Sequence, residues 1–406
     1  MQPSAEIQRH SAPLLDRSHA QTIRRVHPSG DPLRVAMSTA GSARGAIPVR
    51  EVEVSAYTIP TDEPESDGTL SWESTTLVLV QARAGDRTGI GYSYAHSSAA
   101  ELVRDTLAPV VRGREAMDVP GSWGAMRHAI RNVGRPGIAS HAIAAVDTAL
   151  WDLKARLLDV ALATLLGAVR EVVPVYGSGG FTSYTDERLR EQLGGWVEQG
   201  IPRVKMKIGR EPGRDVERVH AARGAIGPDA ELFVDANGAL SRKQALAFAE
   251  RFREDGVTWF EEPVSSDDLE GLRLIRDRAP AGMEVAAGEY GYDLAYFQRM
   301  LDAGAVDVLQ ADVTRCGGIT EFLRVGALCD ARSLPMSAHT APALHAHVAC
   351  TMPAIRHLEY FHDHVRIEGM LFDGVVAPRD GSLHPDRGRA GMGLELKQRV
   401  AERFRV

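Results

Sequence analysis

Beyond Val172 the chain repeats one pattern: a short apolar run, a stretch of helical periodicity, then another apolar run. The runs are VPVYGS (173–178), RVKMKIG (203–209), ELFVDAN (231–237), TWFEEPV (258–264), EVAAGEY (284–290), VDVLQAD (306–312), PMSAHT (335–340) and RHLEYF (356–361). Strands buried on both faces are this short and this apolar. Eight of them separated by helices, at a spacing of roughly 20 to 30 residues, predict an α/β fold built on a (β/α)8 TIM-type barrel. The last two intervals are short, so the barrel's end is expected to be irregular.

The segment before the repeat reads differently. REVEVSAYTI (50–59) alternates apolar and polar residues as a strand does, and STTLVLVQA and RTGIGYSYA read as two more. TDEPESDGTLSW, Thr61 to Trp72, is polar with Pro and Gly and reads as a loop. Helical patterns fill Ser97 to about Leu166, with Ile143, Val146, Leu150, Leu153 and Leu157 on one face. Residues 48–168 are thus expected to form an α+β unit and 169–365 the barrel. Residues 366–406 are expected to return to the first unit. Residues 1–47, rich in Arg, Ser and Pro, predict a disordered extension, and Met37 is a possible alternative start.

In a barrel of this kind the C-terminal ends of the strands face the active site. Here those ends carry Lys205 and Lys207, then Asp235, Glu261 with Glu262, Glu289, Asp312, His339 and Glu359. Only five of the 47 basic residues in the chain are lysines, and two of those five stand two apart in RVKMKIG. Residues two apart on a strand share a face, so Lys205 and Lys207 point together, whereas Glu261 and Glu262 do not. Lysine, unlike arginine, can lose its proton at working pH.

Asp235, Glu261 and Glu289, on consecutive strands, are expected to converge. Unpaired, they would resist ionisation. An all-oxygen set of this kind suits Mg²⁺. The plainer alternative is that each acid caps a helix or pairs with arginine. Lys207 and His339 are expected on opposite sides of the mouth, with Lys207's pKa lowered towards neutrality by the neighbouring Mg²⁺ and second ammonium so that it serves as a base. Asp312 is expected to orient His339, Lys205 to hold a substrate carboxylate oxygen, and Glu359, if protonated, to hydrogen-bond the other. This set suits removal of a proton α to a carboxylate through an enediolate. His345, His347, His357, His362 and His364 read as structural residues, although contact of His362 or His364 with substrate stays open.

Composition closes off other classes. A net charge of −7 disfavours a nucleic-acid partner. No apolar run approaches the roughly 20 residues of a membrane span. The cysteines, Cys316, Cys329 and Cys350, form no CxxC pair, which fits a reducing, cytoplasmic setting with no cysteine zinc site.

From about Val49 to the C-terminus the chain resembles the mandelate racemase subgroup of the enolase superfamily. The likeness rests on AAVDTALWDL (144–153), on KMK at 205–207 as the KxK motif, and on Asp235, Glu261 and Glu289 as metal ligands. It also rests on Asp312 with His339 as a dyad and on Glu359 on the last strand. The muconate-lactonizing branch carries a lysine on strand six, and DVTRCGG has none. The resemblance implies an α+β capping domain whose loop, Thr61–Trp72, closes over the barrel, with GSGGFTS (177–183) near the substrate. It implies Mg²⁺, a small-molecule carboxylate substrate and homo-oligomers, often octamers. Dehydration of an acid sugar to a 2-keto-3-deoxy acid and racemisation or epimerisation of a 2-hydroxy acid share the same base set. The acids Asp62, Glu63, Glu65 and Asp67, with YFHDH (360–364), favour a polar pocket and hence dehydration. A Schiff-base aldolase or a non-catalytic barrel are the remaining readings.

Overall fold

A computed structural model describes residues 46–406 of the chain. The expected disordered extension and Met37 lie outside the described residues, apart from Ala46 and Ile47. The Ile47 amide donates to Glu115 Oε2 at 2.9 Å, which ties that end of the described chain to the first unit.

Three strands, β1 (Glu51–Ser66), β2 (Ser71–Ala84) and β3 (Arg87–Tyr94), pair antiparallel in that order. Their alternation sends Val78, Val80 and Ala82 into one core and Leu77 and Leu79 into the core that continues through the barrel. The helix Ile138–Leu157 lies on the sheet. Gly91 permits this, because a Cβ there would meet the Ala145 carbonyl oxygen and the Ala149 nitrogen at 2.3 Å. Ile143, Val146, Leu150 and Leu153 are buried as the periodicity predicted, but so is most of the helix's other surface. It is wedged between the sheet and the barrel. Asp147, on this helix, accepts from Thr320 N (2.9 Å) and Thr320 Oγ1 (2.7 Å) at the start of the barrel helix Ile319–Ala331.

The segment Thr61–Trp72, expected as a loop, is mostly strand, with only residues 67–70 outside β1 and β2. β1 runs on to Ser66, with a register shift between Pro60 and Glu65, and pairs with the start of β2. The alternation was masked by Pro64 and four acids, which are rare in strand interiors but tolerated in an edge ribbon.

Eight parallel strands follow: β4 (Val173–Gly179), β5 (Arg203–Lys207), β6 (Glu231–Asp235), β7 (Val257–Glu261), β8 (Glu284–Ala287), β9 (Val308–Ala311), β10 (Met336–Ala338) and β11 (Ile355–Phe361). They pair in sequence order, and β11 closes onto β4. Each predicted run overlaps one of them. The irregular end is visible in β10, only three residues long. Val204, Met206, Leu232, Val234 and Phe260 point outward to the helices. Tyr176, Phe233, Trp259 and His357 pack against one another inside the barrel, so the interior below the mouth is filled.

After the helix His362–Leu371, within which the expected boundary at 365/366 falls, the tail touches both parts of the fold. Ser382–Leu383 pairs antiparallel with β4. Met392 N donates to Asp152 Oδ1 (2.6 Å), and Val406 N donates to the Ala56 carbonyl (3.1 Å). No helix among the described residues is long and apolar enough to cross a membrane.

Candidate active site

Strand register builds the site. Lys207, Asp235 and Glu261 are direct neighbours across β5, β6 and β7, so their side chains stand in one row at the barrel mouth. One step deeper, Lys205, Phe233 and Trp259 form the next row. Glu289 follows the end of β8, Asp312 follows β9, His339 follows β10, and Glu359 lies within β11. All eight of these predicted site residues are buried and meet at the C-terminal mouth. Oxygens of Asp235, Glu261 and Glu289 lie within 4.8 Å of one another.

The ammonium groups sit between the carboxylates. Lys207 Nζ donates to Asp235 Oδ2 at 2.5 Å. Lys205 Nζ contacts Glu261, Glu359 Oε1 (2.8 Å) and Asp235 Oδ2 (3.3 Å), and lies 5.3 Å from the centre of the Tyr176 ring. Among these side chains, burial lowers the Lys207 pKa, but contact with Asp235 outweighs burial and holds the proton more tightly; the expected fall belongs to the site with Mg²⁺ bound. Glu359 departs from expectation. Burial would raise its pKa, yet Lys205 and His339 bring it down to about 2. It is an ionised acceptor, not a donor, and takes hydrogen bonds from Ser178 Oγ (2.6 Å) and Thr340 N (3.2 Å).

The carboxylate trio shares its charge unevenly. Burial and Asp235 push Glu261 up to about 8 against the pull of Lys205. Burial opposes ionisation of Asp235 and Glu289 too, but the two lysines hold Asp235 low, and His339 and Arg315 hold Glu289 well below the carboxylate range. Glu289 Oε2 is buried without a hydrogen bond, although His339 Nε2 stands 3.2 Å away. Three convergent hard oxygen donors, one of them orphaned, fit a divalent cation such as Mg²⁺.

His339 Nδ1 lies 2.9 Å from Asp312 Oδ2, as the dyad requires. Thr314 N holds the other Asp312 oxygen at 2.7 Å. Nε2 is left to face the mouth. Burial lowers the His339 pKa, but Glu289 and Glu359 outweigh it and raise it to about 9. The backbone turns sharply beside these groups: Asn237, Glu262, Thr340 and Ala341 adopt φ of 45°, 36°, 51° and 41°. Such conformations cost free energy in non-glycine residues and cluster at functional sites.

The other histidines divide. His345 donates from Nδ1 to the Thr340 carbonyl (2.7 Å) and accepts from Val313 N (3.0 Å), a structural role. His357 bonds Ser337 inside the barrel, and His347 is buried away from the mouth. His362 pairs with Asp62 (3.0 Å) at the base of the hairpin. His364 lines the cavity above the site.

That cavity holds about 430 Å³ and is bounded by Lys207, Glu289, His339 and Glu359 below and by the β1–β2 hairpin above. The hairpin is shut against the barrel. Thr182 N donates to the Ser66 carbonyl (2.8 Å) and Thr182 Oγ1 to the Asp67 carbonyl (2.8 Å), so GSGGFTS anchors the lid. Of the four lid acids, only Asp67 lines the cavity. Asp62 pairs with His362, Glu63 with Arg188 (3.2 Å), and Glu65 is buried against Trp72 Nε1 (2.7 Å). The pocket's polarity therefore comes from Asp67, Ser74, Thr75, Asn237 and the catalytic groups rather than from the other three acids, and these stand beside an aromatic wall of Trp72, Tyr94, Tyr290 and Phe361. These aromatics and Arg315 were missed. Arg315 stood in view in DVTRCGG, at a strand end; the aromatics come from remote segments that only the closed hairpin brings together.

Two family models match the chain: the N-terminal domain of mandelate racemase / muconate lactonizing enzyme over residues 49–167, and the enolase C-terminal domain-like model over 188–400. A 3,6-anhydro-alpha-L-galactonate cycloisomerase of Streptomyces coelicolor is 31% identical over 86% of this chain and 98% of its own. Among solved structures, a mandelate racemase/muconate lactonizing enzyme-like protein from Rubrobacter xylanophilus is 57% identical, with a TM-score of 0.87 over 88% of this chain and 100% of its own. L-talarate dehydratase from Polaromonas sp. JS666, solved with Mg and L-glucarate, is 28% identical, with a TM-score of 0.81 over 89% of this chain and 98% of its own. Other relatives are dehydratases named for arabinonate, L-rhamnonate and D-gluconate.

Proposed function

This chain belongs to the mandelate racemase/muconate lactonizing enzyme family of the enolase superfamily, and on that premise we propose that it is a Mg²⁺-dependent acid-sugar dehydratase. The observation that carries the reading is that Lys207 and His339 open on one cavity with Glu289, on which Asp235 and Glu261 converge from just behind the cavity wall. Relatives that dehydrate acid sugars support the choice of reaction.

Asp235, Glu261 and Glu289 would hold Mg²⁺, which supplies positive charge that offsets these carboxylates, eases Lys207's deprotonation and acidifies the substrate's α-carbon. Lys207 Nζ, as the free amine, takes the α-proton. Lys205 Nζ meets the charge that develops on the substrate carboxylate, and Glu359 keeps that ammonium in place. His339 Nε2 gives a proton to the departing β-hydroxyl, which leaves as water. Asp312 fixes the imidazole so that Nε2 faces the mouth. The resulting enol becomes a 2-keto-3-deoxy acid. We further propose a cytoplasmic homo-oligomer; a monomer by light scattering would count against it.

The test is a panel of acid sugars with Mg²⁺ in D₂O, followed by proton NMR. A 2-keto-3-deoxy product that EDTA abolishes is the expected result. Deuterium at Cα without loss of water would make the enzyme a racemase or epimerase. Turnover that survives EDTA would favour a Schiff-base aldolase instead.

A further inference from the structure

We propose that the cavity accepts sugar-derived monocarboxylic acids, whose far end is uncharged, and rejects the matching diacids. This rests on the dehydratase reading and narrows its substrate class.

The positive charges that line the cavity stand at its catalytic end; Arg210 reaches the hairpin from outside the lining, where Nη1 donates to the Leu70 carbonyl (3.2 Å). Among the described residues lining the cavity, the lysines and arginines are Lys207 and Arg315. Arg315 is committed there: Nη1 lies 3.1 Å from Glu289 Oε1, Nε lies 3.6 Å from Asp312 Oδ2, and the guanidinium stands 5.1 Å over the Tyr290 ring. The far end, under the hairpin, offers Leu70, Trp72, Ser74, Thr75 and Phe361. A carboxylate moved there from water would lose its hydration against aromatic rings and gain no cation. Asp67, on the same wall, adds repulsion; its Oδ1 is already bound by the amides of Thr69 (2.6 Å) and Leu70 (2.7 Å).

The two other histidines on the wall do not replace a fixed cation. Ala341 N donates to His364 Nδ1 at 3.2 Å, so the ring proton sits on Nε2. The ring is stacked on Tyr94 with centroids 3.4 Å apart, and burial keeps it neutral. His96 stands exposed at the rim, where its Nδ1 accepts from Ser98 N at 3.2 Å. What remains are neutral groups: aromatic faces for C–H bonds, with Ser74, Thr75 and an imidazole N–H for hydroxyls. An uncharged polyol, deoxy or ring-closed tail matches them.

The experiment compares aldonates with aldarates of matching configuration, on the full chain with Mg²⁺. It measures kcat/KM, binding by calorimetry and α-proton exchange in D₂O. The best aldonate should exceed its aldarate by about 100-fold in kcat/KM, the scale of an unpaired buried charge. Ser74→Arg, which places a cation on the far wall, should narrow that ratio by about tenfold. An aldarate within about tenfold of its aldonate, or a ratio unmoved by Ser74→Arg, overturns the proposal. If aldonates bind and aldarates do not, yet no acid exchanges its α-proton, the selectivity stands and the dehydratase reading falls. If neither class binds, both fall.

Discussion

Lys207 and Asp235 form a 2.5 Å pair in a buried row with Glu261, and each member of that row sets the charge of the next. Removing one carboxylate should therefore act on the cation first. Glu261→Gln leaves the fold's packing volume intact but takes away one hard anionic donor. It should weaken Mg²⁺ binding by roughly 100-fold or more, read by calorimetry. Unchanged affinity would mean that Glu261 is not a ligand. Lys205→Met should lower kcat by about 100-fold while Mg²⁺ still binds, because it removes a donor to the substrate carboxylate. At this scale the sequence was legible. A residue's place at a strand end and the two-residue period say which side chains meet. The protonation states were not legible, because they depend on contacts. Glu359 is ionised because Lys205 lies 2.8 Å away, and no spacing in the sequence encodes that.

The strands of the barrel were readable because each carries a short apolar run whose outward face packs on the helices, as Val204, Met206, Leu232 and Val234 do. The lid was not. Its acids look like a solvated loop, and their partners, His362, Arg188 and Thr182, come from the far side of the sequence gap that folding closes. Gly68 at its tip fits where a Cβ would stand 2.5 Å from the Ala236 carbonyl oxygen. Gly68→Ala should hold the hairpin off the barrel and raise KM by roughly tenfold with a smaller change in kcat; steady-state kinetics would check it. The helix Ile138–Leu157 makes a prediction about pH. Burial raises Asp147 to about 7, so the folded state keeps a proton that the unfolded chain releases near its ordinary value of 3.8. That contribution is present in full below about pH 4 and is lost as pH rises towards 7. Asp147→Asn should remove up to a few kcal/mol of this decline, seen as a flatter plot of urea stability against pH.

For the whole molecule, the division of labour follows from where charge can be hidden. The first unit and the tail supply a lid and a brace. The barrel interior is filled by Tyr176, Phe233, Trp259 and a neutral His357, so the charged groups gather at the mouth. A cation that binds the native mouth and not the unfolded chain must stabilise the fold by mass action. Saturating Mg²⁺ should raise Tm by a few degrees over EDTA, and Glu261→Gln should lose that rise in differential scanning fluorimetry. The most direct measurement of the central claim is deuterium exchange at Cα of the identified acid sugar in D₂O, in the wild type, Lys207→Ala and His339→Asn. Wild type should give a 2-keto-3-deoxy acid. His339→Asn should still exchange Cα–H while losing about 100-fold or more of the water release, and Lys207→Ala should do neither. Exchange that persists in Lys207→Ala would contradict Lys207 as the base and with it the mechanism.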